Sequence, residues 1–347
     1  MQFPTRTSPY TARLYRVNQT MGWVLLALLP GIGAMWFYFG WGVVINIALA
    51  SATVLACEAW VMHLRKRPVG PVLGDLSALV TAVLLAISVP PLLPWWMTVL
   101  GSAFAILLVK QVYGGLGYNA FNPAMAGYVF LLISYPVEMT AWIPPSVIQE
   151  NPLTLLDTLR IIFFGTLPAG LSWDAITMAT PQDLVRSELE LKQTFSEIQQ
   201  GPLWGGLGGR GWEWVGLWFL LGGLLLLYKR VIRWYIPLSM LGSLFLLATL
   251  FHLIDPDLYP SGTFHLFTGA TILGAFFIAT DPVTACTTKR GQLLFGASIG
   301  MLIYVIRTWG GYPDAVAFAV LLLNMAAPTI DHYTQPRVFG HQRKGEL

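Results

Sequence analysis

The sequence predicts an all-α integral membrane protein with about ten transmembrane helices. Of its 347 residues, 55% are hydrophobic and 11% are charged, whereas about 25% of the residues in soluble domains carry a charge. Apolar segments of roughly 17–22 residues, which suffice to cross a bilayer, recur along the whole chain. Lysine and arginine gather in alternate connections between these segments. This combination excludes a soluble globular protein.

The first five apolar segments end at Gly, Pro or charged residues. Gly40 separates the first two segments, the basic run 65–67 ends the second, and the Pro-rich stretch 90–94 ends the third. The fifth begins at Pro123 directly after Asn122, a pattern typical of a helix start. These boundaries predict helices over approximately 22–39, 42–62, 73–90, 95–112 and 123–142.

Five more apolar segments follow a long hydrophilic stretch. Lys229 and Arg230 end the first of them, while Lys289 and Arg290 precede the fourth and Gly310 ends it. The predicted helices cover approximately 212–228, 235–253, 265–281, 292–309 and 313–332. The chain therefore divides into an N-terminal segment with helices one to five (1–142), a loop (143–211), and helices six to ten with a tail (212–347).

The basic residues predict that both termini are cytoplasmic. Arg6, Arg13 and Arg16 precede an apolar segment that is long enough to span and ends without a small-residue cleavage site. We therefore expect a transmembrane helix there rather than a removed signal peptide. With the N-terminus inside, every short basic connection and the basic tail fall on the cytoplasmic side. The 143–211 loop, which has more acidic than basic residues, then falls on the periplasmic side.

The two halves of the chain contain a weak internal repeat. The segment 81–90 resembles 271–282, and each is followed by a helix, a Gly-Gly turn and another helix. Because five spans separate the matching elements, the two five-helix repeats would be inverted, a plan that places a ligand site at the repeat interface. The alternative is a chance resemblance between Leu- and Ala-rich helices.

The loop carries a motif for covalent flavin attachment. Asp174, Thr177, Ala179 and Thr180 fit the pattern Asp, two residues, Ser or Thr, one small residue, Ala, Thr. A flavin transferase reads this pattern when it esterifies the FMN phosphate onto the last threonine, so we expect FMN on Thr180. Met178 stands where glycine is usual.

A second segment matches the centre of the flavin-attachment pattern more closely. Thr268-Gly269-Ala270-Thr271 has the glycine that the loop motif lacks. However, His265 stands six residues before Thr271, at the position where the pattern has an acid. The segment also opens an apolar helix, where a soluble transferase could hardly reach it. We therefore favour Thr180.

A Gly-rich segment between the fourth and fifth helices is the second candidate site. Glycines at 114, 115 and 117 permit close backbone approach, and the carboxamides of Asn119 and Asn122 could hydrogen-bond a flat heterocycle such as a flavin edge. The alternative is that these asparagines cap the fifth helix, with Pro123 at its first position. Capping does not exclude ligand contact.

Three acidic residues near apolar segments are weaker candidates. Asp281 lies in Thr280-Asp281-Pro282 and would either cap a helix or line a polar cavity. Glu58 and Asp314 are candidates for an ion path, with a structural role as the alternative. Two cysteines cannot by themselves complete a four-thiolate metal site, so no metal site is expected.

Taken together, these residues resemble the D subunit of the Rnf (Rsx) electron-transport complex, which is related to the B subunit of the sodium-pumping NADH:quinone reductase. The segments that carry the resemblance are 8–11, 110–117, 119–124, 280–282, 310–314 and 336–341. The resemblance implies electron flow between reduced ferredoxin and NAD, coupled to sodium or proton movement across the bacterial inner membrane. It also implies FMN on Thr180 and a non-covalent riboflavin near Asn119 and Asn122.

The same resemblance implies partner subunits and a non-catalytic role for this chain within the complex. The expected partners are subunits of the A, B, C, E and G type and a flavin transferase, without nucleic acid. The chain would be an oxidoreductase subunit that has no catalytic residue of its own. A bilayer core of about 30 Å is too thick for one efficient electron hop, so two flavins at opposite faces would serve as steps. The competing interpretation is a small-solute channel or carrier with inverted repeats.

Overall fold

A computed structural model of the protein describes residues 17–149, 152–312 and 314–336. Within these ranges, the regular secondary structure is helical, with two isolated β-bridges. The basic residues Arg6, Arg13 and Arg16, and those of the tail after residue 336, lie outside the described residues, as do the segments 8–11 and 337–341 of the family resemblance.

The N-terminal half contains five apolar helices and two short ones. They are α1 (Val17–Phe39), α2 (Gly42–Leu64), α3 (Val69–Leu73), α4 (Ser77–Ser88), α5 (Trp95–Phe104), which continues as a π-helix (Ala105–Gln111), α6 (Pro123–Ser134) and α7 (Pro136–Thr140). The fifth predicted span, 123–142, is thus divided between α6 and α7. The division falls at Pro136, because proline lacks the N–H that a continuing helix needs.

The loop and the C-terminal half follow. The loop contains α8 (Leu155–Phe164), α9 (Trp173–Ile176), α10 (Pro181–Glu190) and α11 (Phe195–Ile198). The second half contains α12 (Trp212–Tyr228), α13 (Tyr235–Ile254), α14 (Gly262–Phe267), α15 (Thr271–Leu273), which continues as a π-helix (Gly274–Ile278), α16 (Lys289–Trp309) and α17 (Val316–Thr334).

Five of the described helices are long and apolar enough to cross a membrane: α1, α2, α13, α16 and α17. The remaining apolar helices are shorter, and a 12-residue helix such as α4 is only about 18 Å long, against about 30 Å of bilayer core. The all-helical class is therefore confirmed for the described residues, with five helices that could span a membrane. The ten-span arrangement in two repeats stays a prediction.

The third apolar element of each half is interrupted. In the first half, α3 and α4 are separated at Leu76, which has φ 63°. In the second half, α14 and α15 are separated at Gly269, which also has φ 63°. Both residues adopt the left-handed conformation, which ends a helix. Discontinuous helices at matching places in two halves often mark a ligand site in membrane proteins.

Small residues bring the long helices into close contact. A Cβ added at Gly222 in α12 would overlap the carbonyl oxygen of Ala27 in α1. Gly296 and Gly300 also bring α16 close to the α13 backbone, where their added Cβ atoms would overlap the carbonyl oxygens of Ile236 and Met240, respectively. Such glycines let backbones approach within a membrane, where dispersion contacts rather than water exclusion hold helices together. The α1–α12 contact joins the two halves and forms one wall of the site described next.

Candidate functional site

A cavity of about 700 Å³ lies between the two halves and the loop. We call it the loop-side cavity. Its volume falls within the range of roughly 300–1,000 Å³ that small-molecule and cofactor sites occupy. Its lining is mainly apolar with a few polar groups, and includes Met35, Tyr128, Leu132, Trp142, Thr180, Gln182, Asp183, Arg186, Glu190, Trp212, Phe219, Ile272 and Asp314.

Thr180 opens onto this cavity at the start of α10. It is the N-cap residue of that helix, with Pro181 at the first helical position. Its Oγ1 accepts a hydrogen bond from the backbone N–H of Asp183 (3.2 Å) and donates one to Asp183 Oδ2 (2.6 Å). The threonine is therefore held by a helix terminus and partly buried, rather than lying in a fully exposed loop.

Of the other motif residues, Ala179 also lines the cavity, whereas Asp174, Thr177 and Met178 lie outside its lining. Asp174 is exposed in the first turn of α9, and Thr177 donates a hydrogen bond to the Trp173 carbonyl oxygen (2.8 Å). The backbone N–H of Met178 donates to the Trp142 carbonyl oxygen (2.8 Å). The motif backbone thus packs against a residue of the cavity wall, and this contact turns Thr180 toward the interior.

Asp183 is a site residue that the sequence reasoning missed. Burial raises the pKa of its carboxyl group above the ordinary value, although the two hydrogen bonds from Thr180 act in the opposite direction. The signal in the sequence was the spacing of Thr180 and Asp183, since an acidic residue three positions after a threonine is typical of a helix N-terminus. The same spacing joins Thr154 to Asp157 at the start of α8.

Thr271, the second candidate for flavin attachment, is fully buried. Its Oγ1 accepts a hydrogen bond from the Arg307 guanidinium (2.9 Å) and lies 2.8 Å from the His265 carbonyl oxygen, to which it donates. Arg307 also donates to the same carbonyl oxygen (2.8 Å). This network holds together the break between α14 and α15, and it leaves the Thr271 hydroxyl without access to a transferase.

A tyrosine and a carboxylate from opposite halves meet in the lining of the loop-side cavity. Tyr128 of α6 donates a hydrogen bond to Asp314 Oδ2 (3.1 Å). Asp314 lies in the turn before α17 rather than inside the tenth predicted span, because α17 begins only at Val316. The contact joins the N-terminal and C-terminal halves, and it places a carboxylate of the predicted ion-path group at this cavity.

A second cavity of about 130 Å³ lies at the opposite ends of the same helices, and we call it the far cavity. It brings together the sequence candidates Asn119, Asn122 and Asp281 with residues of both halves. Its lining includes Ser77, Thr81, Leu84, Lys110, Leu116, Asn119, Asn122, Leu226, Phe276, Phe277, Thr280 and Asp281. The volume is below the usual range for a cofactor, so a ligand as large as riboflavin requires lining side chains to move.

Of the two asparagines at the far cavity, Asn122 has the predicted capping role and Asn119 does not. Asn122 is the N-cap of α6, and its Oδ1 accepts hydrogen bonds from the N–H groups of Ala124 (3.0 Å) and Met125 (3.3 Å). Asn119 Nδ2 donates to the Phe121 carbonyl oxygen (2.9 Å). Both side chains also line the cavity, so capping and ligand contact are compatible here.

A buried ion pair stands beside the far cavity, and the sequence reasoning identified only one of its members. Lys110 Nζ lies 2.6 Å from Glu58 Oε1 and 2.8 Å from Ser77 Oγ. Gln111 Nε2 donates to the same Glu58 oxygen (2.9 Å), and Arg65 donates to the Gln111 side chain. Glu58 Oε2 is buried and has no partner. The pair ties α2 to the π-helix and to the start of α4.

Matching elements of the two halves run in opposite directions between the two cavities. Ser77 at the start of α4 lines the far cavity, and Ser88 at its end lines the loop-side cavity. Ala270, directly before α15, lines the loop-side cavity, and Thr280, after the π continuation, lines the far cavity. Asp281 follows it and accepts a hydrogen bond from Thr284 Oγ1 (3.0 Å).

Comparison with known proteins identifies the family of the chain. The model of the NQR2, RnfD, RnfE family matches residues 4–340, which is nearly the whole chain. The chain belongs to this family.

Curated relatives match the chain over almost its full length. The D subunit of an ion-translocating oxidoreductase complex from Escherichia coli O127:H6 is 52% identical over 99% of this chain and 100% of the relative. The protein of the same description from Aliivibrio salmonicida is 49% identical with the same coverage. A third, from Shigella dysenteriae serotype 1, is 51% identical over 99% of this chain and 100% of the relative. The family resemblance drawn from the sequence is thereby confirmed.

Proposed function

We propose that this chain is the membrane subunit of an ion-translocating electron-transport complex of the ferredoxin:NAD oxidoreductase type. In this role it carries electrons across the inner membrane through FMN esterified to Thr180. The observation that carries the proposal is the position of the Thr180 hydroxyl, at a helix N-terminus that opens onto the loop-side cavity. The full-length similarity to proteins named as the D subunit of an ion-translocating oxidoreductase complex supports the same role.

The residues at the loop-side cavity fit a flavin phosphoester. A phosphate on Thr180 would meet the positive dipole end of α10, which favours anions, although Pro181 at the first helical position supplies no N–H. The ester would also replace the hydrogen bond from the Thr180 hydroxyl to Asp183 Oδ2, so that carboxylate would turn away from the phosphate. The aromatic rings of Trp142, Trp212 and Phe219 supply apolar walls for a flat ring. When bound, the flavin supplies the one-electron chemistry. The protein residues would hold the phosphate, orient the ring and exclude water.

We infer that the two halves form inverted five-helix repeats. The opposite directions of α4 and α15 between the two cavities, and the matched breaks at Leu76 and Gly269, support this plan. The repeat interface is then the place where both cavities lie, as inverted-repeat membrane proteins favour. The cavities bracket the helices, so cofactors in them would stand at different membrane depths.

A second cofactor follows from the family resemblance. We propose riboflavin, bound without a covalent link, at Asn119 and Asn122 in the far cavity. The support is the convergence of two carboxamides and the Lys110 ammonium on one cavity. Since this cavity holds only about 130 Å³, the proposal requires it to widen when the ligand enters. The further proposed partners are the A, B, C, E and G type subunits, a flavin transferase, and Na⁺ or H⁺ as the coupled ion.

The location of the loop can be tested separately. We propose an inner-membrane protein with both termini cytoplasmic and the 143–211 loop periplasmic, because this arrangement puts the basic connections inside. Single cysteines at Ser187 and Gly340, in a chain lacking Cys57 and Cys286, should differ in labelling by an impermeant maleimide on intact spheroplasts. We expect labelling at position 187 alone, and the opposite pattern would reverse the topology.

Covalent attachment is tested with matched threonine variants. Thr180→Ala should abolish the flavin fluorescence of the chain in a denaturing gel. Thr154→Ala is the control, because Thr154 caps α8 in the same loop with the same Thr-x-x-Asp geometry. It should keep full fluorescence. An unchanged signal in Thr180→Ala, or an FMN-bearing peptide containing Thr271, would contradict the proposal. A chain without any covalent flavin would favour the channel or carrier interpretation.

A further inference from the structure

One cationic side chain stands among the described residues that line the loop-side cavity. Arg186 lies on α10, whose cavity-facing side also carries Asp183 and Glu190. Its Nε pairs with Glu190 Oε1 at 3.4 Å, and the Arg186 side chain is 34% exposed. Its Nη1 is buried and has no hydrogen-bond partner. The guanidinium therefore has an unused donor at a cavity where acidic groups otherwise predominate.

The separation of Arg186 and Thr180 along α10 matches the size of a flavin side chain. Arg186 is six residues beyond the N-cap, which places it about 9 Å farther along the helix axis at a rise of about 1.5 Å per residue. The five-carbon ribityl chain that joins a flavin phosphate to its ring covers a comparable length. A flavin attached at Thr180 and extended along α10 would therefore bring its ring system to the level of the guanidinium.

Electrostatics favour the flavin ring over the phosphate as the partner of Arg186. The phosphate would already lie at the positive dipole end of α10. A flavin ring gains negative charge on reduction, mainly at the carbonyl edge of its pyrimidine portion. The neighbouring carboxylates Asp183, Glu190 and Asp314 disfavour that charge. A guanidinium that presents planar N–H donors compensates for them.

We propose that Arg186 binds the pyrimidine edge of the covalent FMN and raises its reduction potential. This inference rests on the proposed FMN at Thr180. In this arrangement Glu190 is an opposing charge, because it draws the guanidinium away from the ring and partly neutralises it. Arg186 and Glu190 thus set the potential in opposite directions. If the two side chains acted only by holding α10 in place, the loss of either one would shift the reduction potential in the same direction.

The test uses the full-length chain, produced with its flavin transferase and purified with covalent flavin, in a redox titration followed by flavin absorbance. Arg186→Gln should lower the equilibrium constant for one-electron reduction about tenfold, which is about 59 mV, while the covalent flavin content stays at the wild-type level. Arg186→Lys keeps the charge and should lie between the two. Glu190→Gln should shift the potential upward.

A matched control removes an equal charge elsewhere in the loop. Arg160 is exposed on α8 and lies outside the cavity lining, so Arg160→Gln should leave the potential unchanged. An unaltered potential in flavin-bearing Arg186→Gln would overturn the inference. So would a downward shift in Glu190→Gln, since that outcome marks the pair as structural. If the wild-type chain carries no flavin, the proposed function itself fails. That result differs from the two outcomes above, because both require a flavin-bearing chain.

Discussion

Replacing Lys110 by Met should destabilise the protein strongly, because it leaves a buried carboxylate without its counter-charge. Both side chains of the Glu58–Lys110 pair are at most 3% exposed, and their charged atoms lie 2.6 Å apart. Without the ammonium, Glu58 keeps one hydrogen bond, from Gln111, while its second oxygen has none. Breaking a buried ion pair in this way costs about 3–5 kcal/mol of unfolding free energy.

The double variant Glu58→Met with Lys110→Met separates the charge effect from packing. Replacing both partners by apolar side chains of similar length removes the uncompensated charge, so its unfolding free energy should lie within about 1 kcal/mol of wild type or above it. Reversible unfolding of the purified chain in mixed micelles, with increasing SDS, measures the free energies of the wild type, of the single variants Lys110→Met and Glu58→Met, and of the double variant. The reasoning is refuted if Lys110→Met costs less than about 1 kcal/mol, or if the double variant costs the sum of the two single variants.

Three further perturbations follow from the described contacts. Gly222→Ala should cost about 1–3 kcal/mol and lower the detergent melting temperature, because the added Cβ overlaps the neighbouring helix backbone; Gly33→Ala, with open space around its Cβ, should cost nothing. Burial raises the pKa of the Asp183 carboxyl group in the folded protein above its value in the unfolded chain. The contribution of this group to folding stability is therefore fully present at pH values below the unfolded-state pKa, and it is lost as the pH rises through the folded-state pKa. Asp183→Asn should therefore slow hydrogen exchange of the α10 amides relative to wild type at neutral pH and match wild type below about pH 3.9, the ordinary pKa of an aspartate; equal exchange at neutral pH would contradict this. Replacing Asn119 and Asn122 together by Asp should retain the helix cap and remove extractable riboflavin from the complex, whereas an unchanged riboflavin content would leave only the capping role.

Local patterns in the sequence were sufficient for the class and for most helix positions. The predicted span 42–62 is observed as Gly42–Leu64, and 235–253 as Tyr235–Ile254. Asn122 before Pro123 gave the start of α6 correctly. The predicted span 265–281 was less accurate, because it treated an interrupted element as one helix. Its apolar composition continues through the break at Gly269, so hydropathy alone does not reveal the interruption.

The candidate site was also only partly predictable from the sequence. The motif around Thr180 was visible in the sequence, whereas the contacts of that residue were not. Asp174, which leads the motif, is exposed, and the side chain that actually binds the Thr180 hydroxyl is Asp183. Lys110 is part of the sequence analysis only within the resemblance segment 110–117, yet it is 2% exposed and pairs with a residue 52 positions away.

By itself, the sequence determined the membrane class, the approximate helices, the threonine motif and the family, because each depends on composition or on residues close together along the chain. The tertiary structure alone decided that Thr180, Arg186 and Tyr128 face one cavity, and that Lys110 meets Glu58. These contacts depend on how each helix is rotated about its own axis and on how closely it approaches its neighbours. That geometry is set by the packing of glycine-lined surfaces such as α1 against α12, which no single segment encodes.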